Sequence, residues 1–218
     1  MITFYTYAQS GNCHKVRLFL NLLGLPYETR ELNLAQGEHK TEEMLALNPF
    51  GQVPVLSDGD KTFSDSQAIL VYLARRYGAE HWLPLDPEGL AKVVRWLAAT
   101  AGEVQFGPAA ARVAVIFRGE APSDEVRNRS TRLLQAMSRT LALGEWLVGD
   151  EPTIADIAVF PYLSVAHHGL IDLTPFPRVR DWLARVAALP GFVPMPELTP
   201  AFAERLATVH ASLSLKAA

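Results

Sequence analysis

The sequence predicts an α/β domain followed by an all-α domain, a β-α-β-α-β-β-α unit leading into a set of helices. Three observations carry this reading. Short apolar runs mix with helix-period patterns only up to about residue 80, a breaker-rich stretch with Pro84 and Pro87 follows, and every periodic segment beyond it has the helical repeat. The chain has 218 residues, 49% of them hydrophobic and 20% charged, a globular composition with length for one large domain or two small ones. The domains are expected over 1–79 and 88–218, with a linker at about 80–87.

Ile2–Thr6 reads as a buried strand. From Asn12 to Leu23, the apolar Val16, Leu18, Phe19, Leu20, Leu22 and Leu23 suit a helix that Gly24 ends, with Pro26 beyond the stop. Tyr27–Glu31 returns as a strand, which completes a βαβ unit. Thr41–Leu47 is a short helix closed by Asn48-Pro49, and Val53–Leu56 and Thr62-Phe63 flank the turn Asp58-Gly59-Asp60 as a hairpin. Ser64 and Gln67 have capping-box spacing and open a helix through Tyr77. In the second domain helices are expected near 88–118, 123–142, 153–168, 176–189 and 200–213. Ser123 and Thr153 serve as N-caps, Thr153 and Asp156 form a capping box, and Gly102 and Gly107-Pro108 bend the first helix.

Lys and Arg total 20 against 23 Asp and Glu, and the net charge of −3 gives no general attraction to phosphate backbones, so no nucleic-acid partner is expected. The start, MITFYTYAQSGNC, has no basic region ahead of an apolar stretch, and no run reaches the roughly 18 apolar residues of a membrane span. Neither targeting nor a membrane is expected. The single cysteine, Cys13, excludes an intramolecular disulfide and a cysteine-rich zinc module, and it points to the reducing cytoplasm. His167-His168 is no chelating pair, because adjacent helical residues point about 100° apart, and no metal is expected.

Three short segments carry chemistry. Ser10-Gly11-Asn12-Cys13 falls between a strand and a helix, where unpaired N–H groups and the helix dipole favour an anion. A thiolate is stabilised in such a place, and a serine hydroxyl adds a charge-assisted hydrogen bond, although Ser10 or Asn12 acting only as a cap explains the residues as well. Cys13 either faces a ligand, where it can form a mixed disulfide, or packs under the helix as a small hydrophobe. Val53-Pro54 is a strand-edge device or a cis bond; a cis bond would leave the Val53 N–H and C=O free to pair with an extended peptide-like ligand. Asp65-Ser66 opens a helix and fits an α-amino acid, with Asp65 on the ammonium and Ser66 on the carboxylate, or simply serves the helix dipole. His39-Lys40 is a cationic pair, suited to a second carboxylate or to solvent.

Four segments together, Ser10–Cys13, Gly37–Lys40, Asn48–Leu56 and Ser64–Leu70, resemble the glutathione transferase family in order and spacing. The resemblance runs over essentially the whole chain and is nearest to the serine-dependent theta and phi classes and their bacterial relatives. Pro152–Ala158 is similar to the family's helix-capping motif. The resemblance implies a thioredoxin-like domain that binds glutathione as co-substrate, an all-helical domain that forms most of the second pocket, and a homodimer with Phe50 as its aromatic plug. It implies that Val53, ahead of a cis Pro54, pairs with the cysteinyl backbone, and that Asp65 and Ser66 hold the γ-glutamyl ammonium and carboxylate. His39, Lys40 and Gln52 would contact the glycyl end or the backbone. Ser10 would donate to the thiolate, with Asn12 and Cys13 as rival partners. The family often has Glu where Asp65 stands, and its zeta-class isomerases usually carry a denser Ser-Ser-Cys run. The implied activity is attack of the glutathione thiolate on a small hydrophobic electrophile, as in detoxification. The alternatives are a glutathione-dependent disulfide-bond reductase or isomerase, and a noncatalytic partner-binding protein of the same fold. Phe106, Ala110, Val113 and Phe117 lie at near-helical spacing and are candidates for the electrophile pocket, or plain core.

Overall fold

The computed structural model describes residues 1–217. The first domain runs β1 (Ile2–Thr6), α1 (Gly11–Leu22), β2 (Tyr27–Glu31), α2 (Glu42–Leu47), β3 (Val55–Asp58), β4 (Lys61–Ser64) and α3 (Ser66–Tyr77). Its sheet has the order β2-β1-β3-β4. β1 is parallel to β2, with Ile2 opposite Tyr27, and antiparallel to β3, with Ile2 opposite Asp58. Alternate residues of β1, Ile2, Phe4 and Thr6, are buried, as a pleated strand covered by helices requires. Thr41 caps α2, and Gly24 and Gly59 take the positive φ that ends α1 and turns the β3–β4 hairpin.

One local expectation needs correction. α3 is not opened by Ser64 and Gln67: its N-cap is Asp65, at φ 69°, and the Asp65 carboxylate accepts from the N–H groups of Gln67 and Ala68. The segment after α3 is a packed strap. Trp82 and Leu83 are buried, and the Trp82 ring meets Phe19 edge-on at 5.0 Å.

The helical domain begins with α4 (Pro87–Ala99), capped by Asp86, and its backbone stays helical to Arg118. Bonding widens to the π pattern over Thr100–Ala109, is α over α5 (Ala110–Arg112), and is π again over Val113–Arg118. Pro108 lacks an N–H and its ring crowds the carbonyl four residues back, so the disturbance read from Gly107-Pro108 takes the form of a wider turn. α6 (Asp124–Thr140), α7 (Ile154–Ser164), α8 (Pro177–Ala187) and α9 (Pro200–Ala217) follow. Among the described residues, no helix is long and apolar enough to cross a membrane.

α7 is the pillar of the fold. Every residue from Ile154 to Leu163 is buried, and the helix packs against α1 and α3 of the first domain and α4 and α8 of the second. One core therefore runs through both domains, from Phe4, Leu20 and Leu70 to Leu134, Ile157 and Trp182. At the start of α7, Thr153 and Asp156 form the expected capping box. A smaller cluster, Val115, Ile116 and Val209 with Phe117 and Phe202 against it, fastens α9.

Candidate active site

A cavity of about 660 Å³ opens between the two domains where α1 and α3 begin. Ser10, Asn12, His39, Lys40, Gln52, Val53, Asp65 and Phe106 all line it. Pro54 and Ser66 line a contiguous cleft that shares Asn12, Val53 and Asp65 with it. Residues far apart in sequence thus converge because two helices point their N-termini at one space, and unpaired N–H groups there make it electropositive.

The caps of both helices keep something in reserve. The Ser10 Oγ accepts from the Cys13 N–H at 3.2 Å, which holds α1 and leaves the hydroxyl proton free to donate. Asp65 Oδ1 accepts from Gln67 N at 2.9 Å and Ala68 N at 3.1 Å, and Oδ2 has no partner among the described residues. The Val53–Pro54 bond is cis, and no hydrogen bond within the described residues engages the Val53 N–H or C=O.

The helical domain fixes the Ser10 turn from behind. Buried Arg112 donates to the Gln9 carbonyl at 2.7 Å and to the Gln9 side chain at 3.3 Å. Its Nε reaches His168 Nδ1 at 3.4 Å, and burial lowers the His168 imidazole to about 4, the neutral form that accepts a hydrogen bond. Gly11 admits the Tyr162 ring: a Cβ there would lie 2.7 Å from it.

Cys13 is buried under the start of α1 and does not line the cavity. Its side chain is 1% exposed, Sγ accepts from the Tyr7 N–H at 3.4 Å, and burial pushes the thiol pKa up. A buried thiol with a raised pKa is a small hydrophobe. Ala110, Val113 and Phe117 do not line the cavity either. Phe117 instead packs on Phe202 at 4.7 Å between ring centroids. Only Phe106 of that set faces the cavity, and it is 60% exposed. Gln67, Ala101 and Gln105 also line the cavity and were not singled out; Gln67 had been given to the capping box.

Residues 9–76 match the glutathione S-transferase N-terminal domain family, and residues 90–190 match the glutathione S-transferase C-terminal domain family. The chain belongs to the glutathione S-transferase family. A zeta-class glutathione S-transferase of Euphorbia esula is 33% identical over 91% of this chain and 92% of its own length. The maleylpyruvate isomerase of a Ralstonia species is 32% identical over 86% of this chain and 93% of its own. The crystal structure of a glutathione S-transferase from Pseudomonas fluorescens superposes with a TM-score of 0.84, at 34% identity over 90% of this chain and 99% of that one.

In this family member the two-domain architecture and the four-stranded mixed sheet are those of the glutathione S-transferase fold. One residue of the site left no sequence signal. Lys15, on α1, is fully buried, donates to Asn12 Oδ1 at 2.7 Å and to Ser66 Oγ at 3.4 Å, and lies 5.8 Å from the Tyr162 ring centroid. Burial lowers its pKa to about 7, against the pull of the Asp65 charge.

Proposed function

We propose that the protein binds glutathione, ionises its thiol and delivers the thiolate to a small hydrophobic electrophile. The Ser10 hydroxyl, at the N-terminus of α1 and lining the cavity, is the observation that supports this reading most. A thiol of pKa about 8.5 is only a few per cent ionised at neutral pH. Lowering that value by two units takes about 2.7 kcal/mol, within reach of one charge-assisted hydrogen bond and a helix N-terminus. Val53 offers its main chain to the cysteinyl unit, Asp65 meets the γ-glutamyl ammonium, the main-chain N–H of Ser66 at the start of α3 meets its carboxylate, and His39, Lys40 and Gln52 meet the glycyl end. Asn12 adds a donor near the sulfur. The thiolate then forms the C–S bond while the leaving group departs with its electron pair, and proximity supplies part of the rate.

Buried Cys13 offers no protein thiol for mixed-disulfide chemistry, so a serine-type reaction is favoured over the reductase. A second reading, a glutathione-dependent isomerase, is favoured by the names of the zeta-class and maleylpyruvate-isomerase relatives. There the thiolate adds to an activated double bond, the single bond so formed rotates, and elimination returns the thiolate. Among the described residues, the cavity wall contributed by the helical domain is Ala101, Gln105 and Phe106, which are uncharged and favour the neutral electrophile. Incubation with an activated aryl halide, and separately with a cis-enone dicarboxylate, separates the two. The transferase consumes one glutathione per product with the halide; conversion of the enone without glutathione loss, and no reaction of the halide, would overturn it. The same reading carries a cytoplasmic homodimer, in which Phe50, 79% exposed, enters the partner; sedimentation as a monomer at micromolar concentration would refute the dimer.

A further inference from the structure

We infer that Lys15 is a positioning residue that sets the hydrogen-bond polarity of the site, turning the Asn12 amide outward as a donor to an anionic sulfur. The inference rests on the glutathione reading above and adds a residue that the reading does not contain. A lysine ammonium has three donors and no acceptor. Its partner on Asn12 is therefore the carbonyl oxygen, at 2.7 Å, and the Asn12 Nδ2 group, which has no acceptor among the described residues, is left for the cavity that Asn12 lines. The same ammonium donates a second hydrogen bond to Ser66 Oγ, whose own proton goes to Gln67 Oε1. Gln67 consequently presents its Nε2 donors to the cavity as well.

In its protonated form the buried Lys15 thus orients two carboxamides, one on α1 and one on α3, in the sense that suits an anion. No carboxylate forms an ion pair with Lys15 among the described residues. A buried charge without a countercharge is expensive, and a bound thiolate or carboxylate nearby offsets that cost. In the absence of Lys15 the Asn12 amide is free to turn, and either of its ends can face the ligand.

Two measurements test this. In the free protein, NMR is expected to show a through-hydrogen-bond coupling between the Lys15 ammonium nitrogen and the Asn12 side-chain carbonyl carbon, and Lys15→Met is expected to shift the Asn12 amide signals. Absence of the coupling overturns the inference whether or not glutathione binds. In the complex, the bound thiol is titrated by its ultraviolet thiolate absorbance. Lys15→Met is expected to raise that pKa by about one unit, a tenfold loss of thiolate below it, Lys15→Arg to restore most of it, and Lys15→Met to add nothing in an Asn12→Ala background. An unchanged thiol pKa, or additive effects of the two substitutions, overturns the inference. If wild type does not bind glutathione, the functional reading fails and the amide signals alone decide the role of Lys15.

Discussion

Helices α1 and α7 both begin on a hydroxyl residue, and they use it in opposite ways. At α7, the Thr153 hydroxyl accepts from Ala155 N at 3.2 Å and donates to Asp156 Oδ2, while the buried Asp156 accepts from Leu147 N, Thr153 N and Trp182 Nε1 at 3.0, 3.0 and 2.8 Å. Every valence is closed inside the core. At α1, Ser10 accepts one bond and keeps its proton, and at α3 Asp65 holds the helix with one oxygen and keeps the other. The cap of α7 is saturated and buried, whereas the caps of α1 and α3 are half-used and face a cavity. The distinction lies in what each residue leaves unpaired, not in its residue type.

Asp156→Ala sharpens the contrast most. It orphans four buried donors and is expected to cost about 3–5 kcal/mol, read from the denaturant midpoint at unchanged m-value. A loss below 1 kcal/mol would break the comparison. Ser10→Ala should do the reverse, costing only about 1 kcal/mol of stability while lowering kcat/KM on an activated electrophile about 10²-fold, as the thiol pKa returns toward its free value.

Acid should separate the two helix starts by sign. His14, on α1, is fully buried, neither ring nitrogen has a hydrogen-bond partner among the described residues, and burial lowers its pKa to about 3. Its folded value lies below the unfolded 6.5, so the stability it contributes is present above pH 6.5 and lost toward pH 3, at about 1.4 kcal/mol per pH unit. Burial raises the Asp156 pKa instead, so its contribution grows as pH falls toward 3.8. Tm followed from pH 7 to pH 4 should fall, and His14→Leu should flatten the fall; an unchanged slope would contradict the assignment. The smallest effect is expected for Asp65→Asn, which keeps the cap oxygen and changes stability by less than about 0.5 kcal/mol. It should weaken glutathione binding about tenfold, by calorimetry, because the ammonium loses its charged partner.

Much of this was readable from the chain, for physical reasons. Strand and helix boundaries followed Gly24, Thr41, Gly59 and Thr153, residues whose backbone or cap chemistry is local. The α1 and α3 wall of the cavity was readable because helix starts announce themselves. Lys15 was not, since a lysine on a helix reads as solvated and its burial depends on Tyr162, which arrives with α7 from the far half of the sequence. The Ser64–Gln67 spacing matched a capping box, yet the chain enters α3 with positive φ at Asp65, one residue later. Phe106, Ala110, Val113 and Phe117 share a face only at 3.6 residues per turn. Where bonds skip to the fifth residue that face drifts, and Phe117 ends against α9 rather than at the cavity.

The buried pillar α7 also determines how the protein can be engineered. Because α1 and α3 pack on it, residues 1–79 expressed alone would expose the apolar sides of both site-forming helices, and Gly11 would lose the Tyr162 ring beside it. The N-terminal half is therefore not a portable cassette. A chimera that exchanges helical domains between family members must carry the partners of α7 with it, matching Tyr162 to a glycine and Arg112 to the loop ahead of the serine, or the donor sites will be present in sequence and displaced in space.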